Sequence, residues 1–136
     1  MAGTYSKPLP QIDEVNRPFW EATRRRELYL QRCKDCRHVW YPAGTNCPKC
    51  LSTNFEWSAM SGRGTVWSFI VYHHCWHPGF EKDIPYNVAM IQLEEGPIVI
   101  TNIVNVQNDS IKVGMPVKVL FEPATEQVML FKFTPA

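Results

Sequence analysis

The spacing of hydrophobic residues changes along the chain and predicts different elements in turn. Phe19, Trp20 and Thr23 recur at helical spacing, which indicates a helix within residues 12–26, in one piece or two. Asn16 belongs to the residue types that favour the N-cap position. The chain therefore opens with a helix that has one apolar face.

Short apolar segments follow the helix. They cover residues 28–32, 39–41 and 55–57, and the polar stretches between them hold most of the cysteines. Segments this short bury little surface, and modules below about 40 residues usually need a metal or disulfides for stability. We expect a small β-module that depends on a bound group.

After the turn-forming glycines Gly62 and Gly64, the pattern changes to that of β-strands. Runs rich in β-branched and aromatic residues alternate with turn signals such as Pro78-Gly79 and Gly96-Pro97. The runs are residues 65–73, 87–94, 98–106, 117–121 and 128–133. Five strands with no helical run between them predict a five-stranded OB-fold barrel, so the fold class is mainly β.

The first of these strands is apolar on both sides. Simple alternation places Val66 and Ile70 on one face and Trp67, Phe69 and Val71 on the other. A strand with two apolar faces indicates that another surface covers its outer side.

Four of the five cysteines form two Cys-x-x-Cys pairs, Cys33/Cys36 and Cys47/Cys50. Each pair supplies two sulfurs about one tight turn apart, which is what a tetrahedral Zn²⁺ site requires. Because cysteine fills all four positions, we expect a closed, structural site. Cys75 remains as a free thiol.

Composition and charge indicate which class of protein this chain belongs to and which partners it is expected to lack. The chain has 136 residues, 45% hydrophobic, 20% charged, with a net charge of +1, which is typical of a globular protein. Residues 1–7 lack the apolar core of a secretory signal, and no apolar run approaches the roughly 18 residues of a membrane span. We expect a cytoplasmic protein with no membrane partner.

An ordered series of residues resembles the domain-of-unknown-function family thirty-five. The series is Phe19-Trp20, Leu28, Gln31-Arg32-Cys33, Tyr41-Pro42, Cys47-Pro48-x-Cys50, Trp57 and Ser61-Gly62-x-Gly64-Thr65-Val66. The resemblance implies an N-terminal arm and helix (1–27), a rubredoxin-like zinc ribbon (28–60) and an OB-fold (61–136). The chain departs from the family at Glu27 and Arg37, where glycine is common, and Arg37 would be strained if the knuckle needs φ > 0.

The resemblance also implies a function. Family members are similar to non-catalytic partners of acyl-CoA enzymes. Their partners are thiolase-like subunits, such as acyltransferases and steroid side-chain aldolases, or MaoC-type hydratases. The expected role is to assemble the enzyme and help form its acyl-CoA channel, with acyl-CoA as a further ligand and no catalysis by this chain alone. Only the four cysteines carry over residue by residue.

A second stretch rich in reactive side chains follows the first barrel strand. Its members are His73, His74, Cys75, Trp76, His77 and Phe80. A histidine here could bind a metal or act as an acid or base, and Cys75 could be a nucleophile. No carboxylate stands at a spacing that would orient a histidine, and neighbouring side chains on a strand point opposite ways. We therefore favour a loop that contacts a partner or substrate.

The positive charge lies in the N-terminal half. Residues 1–63 hold ten Lys/Arg and six Asp/Glu, whereas residues 64–136 hold four Lys and seven Asp/Glu. The arginines that would contact CoA phosphates are Arg24, Arg25, Arg26 and Arg37. A solvated helix end is the simpler interpretation of the first three.

Two further functions stay open at this stage. The aromatic residues of the barrel could stack on single-stranded nucleic acid, but a strand-binding groove is positive and this barrel is net negative, so we expect no nucleic-acid partner. The other function is a stand-alone enzyme that uses the loop from His73 to His77.

Overall fold

The structure is a computed structural model that describes residues 7–75 and 77–136. Trp76, one of the predicted loop residues, lies outside the described residues. So does the first part of the predicted N-terminal arm.

The described chain contains one α-helix, α1 (Arg17–Arg24), and two antiparallel β-sheets. The first sheet has the order β2-β1-β3 and contains β1 (Tyr29–Cys33), β2 (Val39–Trp40) and β3 (Phe55–Ala59). The second has the order β6-β5-β4-β7-β8 and contains β4 (Arg63–Tyr72), β5 (Tyr86–Leu93), β6 (Ile98–Thr101), β7 (Pro116–Pro123) and β8 (Met129–Pro135). No helix in the described ranges has the length and apolarity to cross a bilayer.

Helix α1 begins directly after Asn16, the predicted N-cap, and the earlier part of the predicted range 12–26 is not helical. Asn16 occupies the N-cap position, but its side chain does not cap the helix. Instead, its Oδ1 accepts from the Asp13 N–H at 2.8 Å, and its Nδ2 donates to the Gln11 carbonyl at 2.9 Å. These local bonds hold the preceding residues in a turn, an alternative to helix that Asp and Asn side chains favour.

The helix joins the two sheets. It buries Phe19, whose ring centroid lies 5.9 Å from that of Tyr41 after β2 and 5.5 Å from that of Phe131 in β8. One hydrophobic core therefore runs from Leu30 in the small sheet through Phe19 to Phe133 in the large one. The predicted modules share a core and are packed together.

The large sheet curls until its two outer strands meet. Ile103, just after β6, forms a parallel bridge with Phe133 of β8, and the Val104 N–H donates to the Phe133 carbonyl at 2.8 Å. In the central strand β4, Gly64 lies so close to β5 that an added Cβ would stand 2.5 Å from the Gln92 carbonyl oxygen. The sheet is the predicted five-stranded OB-fold, although its third strand ends at Thr101 instead of residue 106.

A β-bulge changes the predicted faces of β4. Val66 pairs with Ile91 and Ser68 with Met90, so Trp67 is the extra residue. Because one extra residue reverses the alternation, Phe69 lies on the same face as buried Val66, not opposite it. Ile70, predicted beside Val66, lies on the outer face and is 52% exposed.

Candidate metal centre

The two Cys-x-x-Cys pairs meet at one end of the small sheet. Cys33 ends β1, and the loop between β2 and β3 brings the second pair to the first. The four Sγ atoms lie within 4.8 Å of one another, with 3.5 Å between those of Cys33 and Cys50 and 3.6 Å between those of Cys36 and Cys47. Sulfurs bound to zinc at about 2.3 Å in a tetrahedron stand roughly 3.8 Å apart, so the cluster fits the ion.

Backbone N–H groups point at the sulfurs. The N–H groups of Asp35 and Cys36 each donate to Cys33 Sγ at 3.4 Å, and the Lys49 N–H donates to Cys47 Sγ at 3.4 Å. The donor from Cys36 is the main cause that lowers the pKa of Cys33 to about 7. These bonds favour the thiolate, which is the form that binds metal.

The two knuckles have the same backbone geometry. The Arg37 N–H donates to the Cys33 carbonyl at 2.9 Å, and the Leu51 N–H donates to the Cys47 carbonyl at 2.8 Å. Arg37 and Leu51 both have φ of +67°. The predicted left-handed conformation of Arg37 is therefore present, and it recurs in the second knuckle.

Burial differs among the four ligands. Cys33 and Cys47 are fully buried beside Trp40, whereas Cys36 is half-buried and Cys50 is exposed. Four cysteines complete a tetrahedral set and leave no position for substrate, so the site is that of a structural zinc. The predicted Zn²⁺ cofactor and its role agree with this geometry.

The loop after β4 uses two of its predicted reactive groups structurally. Cys75 Sγ donates to the His77 carbonyl at 3.0 Å, and His77 Nδ1 accepts from the Gly79 N–H at 2.9 Å. These bonds shape a 3-10 turn, Pro78–Phe80, whereas His73 and His74 lie on the exposed side of the loop. Among the described residues, the four cysteines are the only cluster of three or more His, Cys, Asp or Glu side chains that could share a metal.

The predicted phosphate-contacting arginines have different surroundings. Arg25 Nε donates to Glu27 Oε1 at 2.8 Å, and Arg26 Nη1 donates to the Phe121 carbonyl at 3.4 Å. Arg37 instead lines a groove of about 410 Å³ between the ribbon and the barrel, together with Lys49.

Two buried amides were not anticipated from the sequence. Gln31 Nε2 donates to the Gly44 carbonyl at 2.7 Å, and its Oε1 accepts from the Gly44 N–H at 2.9 Å. Asn87 accepts from the Ile103 N–H at 2.7 Å and donates to the Ile103 carbonyl at 2.8 Å. The sequence feature that could have predicted these buried amides is a polar residue within a mostly apolar strand.

A cavity of about 660 Å³ lies beside Asn87 at the closed edge of the barrel. Lys132 lines it and donates to Asn102 Oδ1 at 2.5 Å. Burial lowers the pKa of Lys132. The cavity is polar and carries charges of both signs, so its chemistry does not select one class of ligand.

A four-cysteine zinc ribbon joined to an OB-fold defines the class of this protein. Two family models match adjacent parts of it: the ChsH2 rubredoxin-like zinc ribbon domain over residues 20–56 and the ChsH2 C-terminal OB-fold domain over residues 57–122. The chain belongs to the DUF35 family. This confirms the resemblance, the fold class and the structural zinc.

Several relatives place the chain more closely. A DUF35 domain-containing scaffold protein of Methanocaldococcus jannaschii is 38% identical over 70% of this chain and 67% of its own length. A probable enoyl-CoA hydratase alpha subunit of Thermomonospora curvata is 39% identical over 96% of this chain, which spans 40% of that subunit's length. A solved chain of an Ltp2-ChsH2(DUF35) aldolase is 38% identical, with a TM-score of 0.83, over 93% of this chain and 98% of its own.

Proposed function

We propose that this chain is a non-catalytic accessory subunit of an acyl-CoA-processing enzyme and helps to assemble its acyl-CoA channel. One observation carries the proposal. The chain matches 98% of a solved chain from an aldolase that combines Ltp2 with the DUF35 protein ChsH2, which supports a role as the DUF35 partner in such an assembly.

The chemistry of the described residues supports a non-catalytic role. The zinc site has four protein ligands and no open position. Cys75 and His77, the best candidates for a nucleophile and a base, make hydrogen bonds to backbone groups of their own loop. The chain therefore contributes structure and contact surfaces to the assembly, and the reacting groups belong to its partner.

We propose a thiolase-like enzyme as the first partner to test, because the solved relative with near-complete coverage is an aldolase that contains Ltp2. A MaoC-type hydratase is the second, since the Thermomonospora relative is a probable hydratase subunit of which this chain spans 40%. The match covers only part of that relative, so the test supplies a MaoC-type hydratase as a separately purified protein.

The experiment is co-purification from the protein's own host. We expect the tagged chain to recover a thiolase-like or hydratase-like subunit in a fixed ratio, and the purified complex to turn over acyl-CoA while the chain alone does not. Turnover by the isolated chain that is lost on Cys75→Ser would contradict the proposal. Recovery of nucleic acid in place of an enzyme would contradict it as well.

We also propose that Arg37 contacts a CoA phosphate, because it lies in a groove where Arg37 and Lys49 outnumber the one carboxylate, Glu95, and because its fork geometry suits phosphate. Titration of CoA into the complex should show weaker binding after Arg37→Gln, with Arg17→Gln as the control. The helix-end arginines Arg24, Arg25 and Arg26 should each contribute less, since they lie at the end of α1 and two of them already have protein partners. Equal CoA binding by all variants would refute these contacts.

A further inference from the structure

The outer face of β4, β5 and β6 is unusually apolar for exposed surface. Seven large hydrophobic residues are well exposed in the described chain, and three of them lie on this face. They are Trp67 at 53%, Ile70 at 52% and Ile100 at 51% exposed. Single exposed apolar residues are ordinary, but a contiguous group marks a contact surface.

The strand register makes this group contiguous. Met90 on β5 stands opposite Ser68 on β4 and opposite Ile100 on β6, and Ile70 stands opposite Val88. The bulge places Trp67 next to Ser68, so one extra side chain is directed to the same outer face. We call Trp67, Ile70, Val88, Met90 and Ile100 the outer patch.

Beyond Arg63 at the start of β4, these strands carry no charged side chain. Residues 65–72, 86–93 and 98–101 contain no Asp, Glu, Lys or Arg. The other two strands of the same sheet carry Lys118, Glu122 and Lys132. Depletion of charge is the compositional signal of the centre of a protein interface.

Stacked aromatic rings extend the outer patch toward the loop after β4. The rings of Tyr72 and Tyr86 face each other across β4 and β5 with centroids 5.3 Å apart, and Phe80 stacks on Tyr86 at 4.9 Å. Tyr72 and Tyr86 are the next outward pair after Ile70 and Val88. The apolar surface is therefore continuous with the loop that the sequence assigned to a partner.

We propose that the outer patch is the surface on which the acyl-CoA enzyme subunit docks, through an apolar and uncharged area of that subunit; this inference rests on the proposed function. The absence of lysine and arginine from residues 65–72, 86–93 and 98–101 disfavours a nucleic acid. A second copy of this chain is disfavoured because residues 64–136 have a surplus of three acidic residues, and two such barrels placed face to face would repel each other.

The test compares two lysine substitutions in the full chain. Ile70→Lys puts a charge at the centre of the outer patch, and Val113→Lys puts the same charge at an apolar residue that is 67% exposed, outside it. Binding is measured against purified thiolase-like and MaoC-type subunits from the same host. Ile70→Lys should weaken binding roughly 30-fold or more, as at an interface hot spot, and Val113→Lys should change it less than about threefold.

Hydroxyl-radical footprinting of the wild-type complex gives a second readout that needs no variant. Oxidation of Trp67 and Met90 should fall when the enzyme subunit is added, and that of Trp57 on the ribbon should not.

Unchanged oxidation at Trp67, or wild-type affinity in Ile70→Lys, would overturn the docking surface while the accessory role stands. A wild-type dimer in sedimentation that Ile70→Lys converts to monomer would assign the outer patch to a second copy. Failure of the wild-type chain to bind either subunit would overturn the proposed function and this inference together.

Discussion

The zinc ribbon and the barrel are both antiparallel sheets, but different forces stabilise them. At the metal end of the ribbon the buried cluster consists of Cys33, Trp40 and Cys47, with few apolar neighbours. The barrel has a large core in which Ile91 and Phe133 are fully buried. Where the apolar core is too small, metal–sulfur bonds replace hydrophobic burial.

The ribbon is nevertheless not independent of the barrel. Its other end contributes Leu28 and Leu30 to the same core as Val66 and Phe133. The boundary between metal-stabilised and core-stabilised structure therefore runs through the ribbon, across the middle of β1, and does not coincide with the boundary between the two sheets. Substitutions that destabilise one region at a time test where that boundary lies.

Removing a zinc ligand should have the largest effect. Cys33→Ser should reduce bound zinc from one ion per chain to none and lower the free energy of unfolding by several kcal/mol, since zinc contributes about 10–16 kcal/mol in isolated zinc-finger peptides. Metal analysis and amide hydrogen exchange measure this. Exchange should accelerate around the knuckles and remain slow in β4 and β5.

Cys75→Ser is the matched control, because Cys75 lies outside the ligand cluster. It should retain one zinc per chain and the thermal stability of the wild type. Fast exchange throughout β4 and β5 in Cys33→Ser would show that the barrel also depends on the metal.

Truncating the residue at which the regions meet should have the next largest effect. Phe131 is 6% exposed and its ring lies 5.5 Å from Phe19 and 6.1 Å from Tyr41. Phe131→Ala should cost about 3–5 kcal/mol in urea unfolding, as cavities left by buried phenylalanines do, while zinc stays bound. Phe121→Ala, at a half-buried position of the same sheet, should cost less. Equal losses would mean that Phe131 has no special role at the junction.

Local patterns predicted most of the elements well. Alternating β-branched and aromatic runs placed the strands within a few residues, because period-two patterns are strong in half-buried strands. The paired cysteines predicted the four-sulfur cluster because their spacing reflects the geometry of one knuckle. Both the strand pattern and the cysteine spacing depend only on residues that are close together in the sequence.

The incorrect predictions depend on contacts between residues that are far apart in the sequence. The bulge at Trp67 arises from the pairing of β4 with β5, and it reversed the predicted faces of Phe69 and Ile70. The predicted strand 98–106 ends early because Asn87, 16 residues from Ile103, binds the backbone there and Asn105 takes φ of +60°. Such contacts form only in the folded protein, so the local sequence pattern does not predict them.

Removing the buried amide of the ribbon should have an intermediate effect. Gln31 is 1% exposed and makes a reciprocal pair of hydrogen bonds with Gly44. Gln31→Ala leaves both backbone groups of Gly44 without these bonds and should cost about 1–3 kcal/mol at saturating zinc, measured by urea unfolding. Gln92→Ala, at an exposed position, is the control and should cost less than about 0.5 kcal/mol. A neutral Gln31→Ala would show that the zinc alone orders the loop before Cys47.

Relieving strain in the first knuckle should have the smallest effect and the opposite sign. Arg37 has φ of +67°, a conformation that costs residues other than glycine about 1–2 kcal/mol. Glycine removes that cost but gives the unfolded chain about 0.4–1 kcal/mol more conformational freedom to lose. Arg37→Gly should therefore stabilise the protein by roughly 0.5–1 kcal/mol at saturating zinc, seen as a higher urea midpoint with an unchanged slope.

Lys34→Gly is the matched control, since Lys34 lies in the same knuckle but is not among the described residues with positive φ. Lys34→Gly increases the conformational freedom of the unfolded chain without relieving backbone strain in the folded one. It should therefore lower the free energy of unfolding by about 0.4–1 kcal/mol. The opposite signs separate strain from the loss of a positive charge, which both variants share. If Arg37→Gly also destabilises, the side chain makes a contact in the groove beside Lys49 that outweighs its backbone strain.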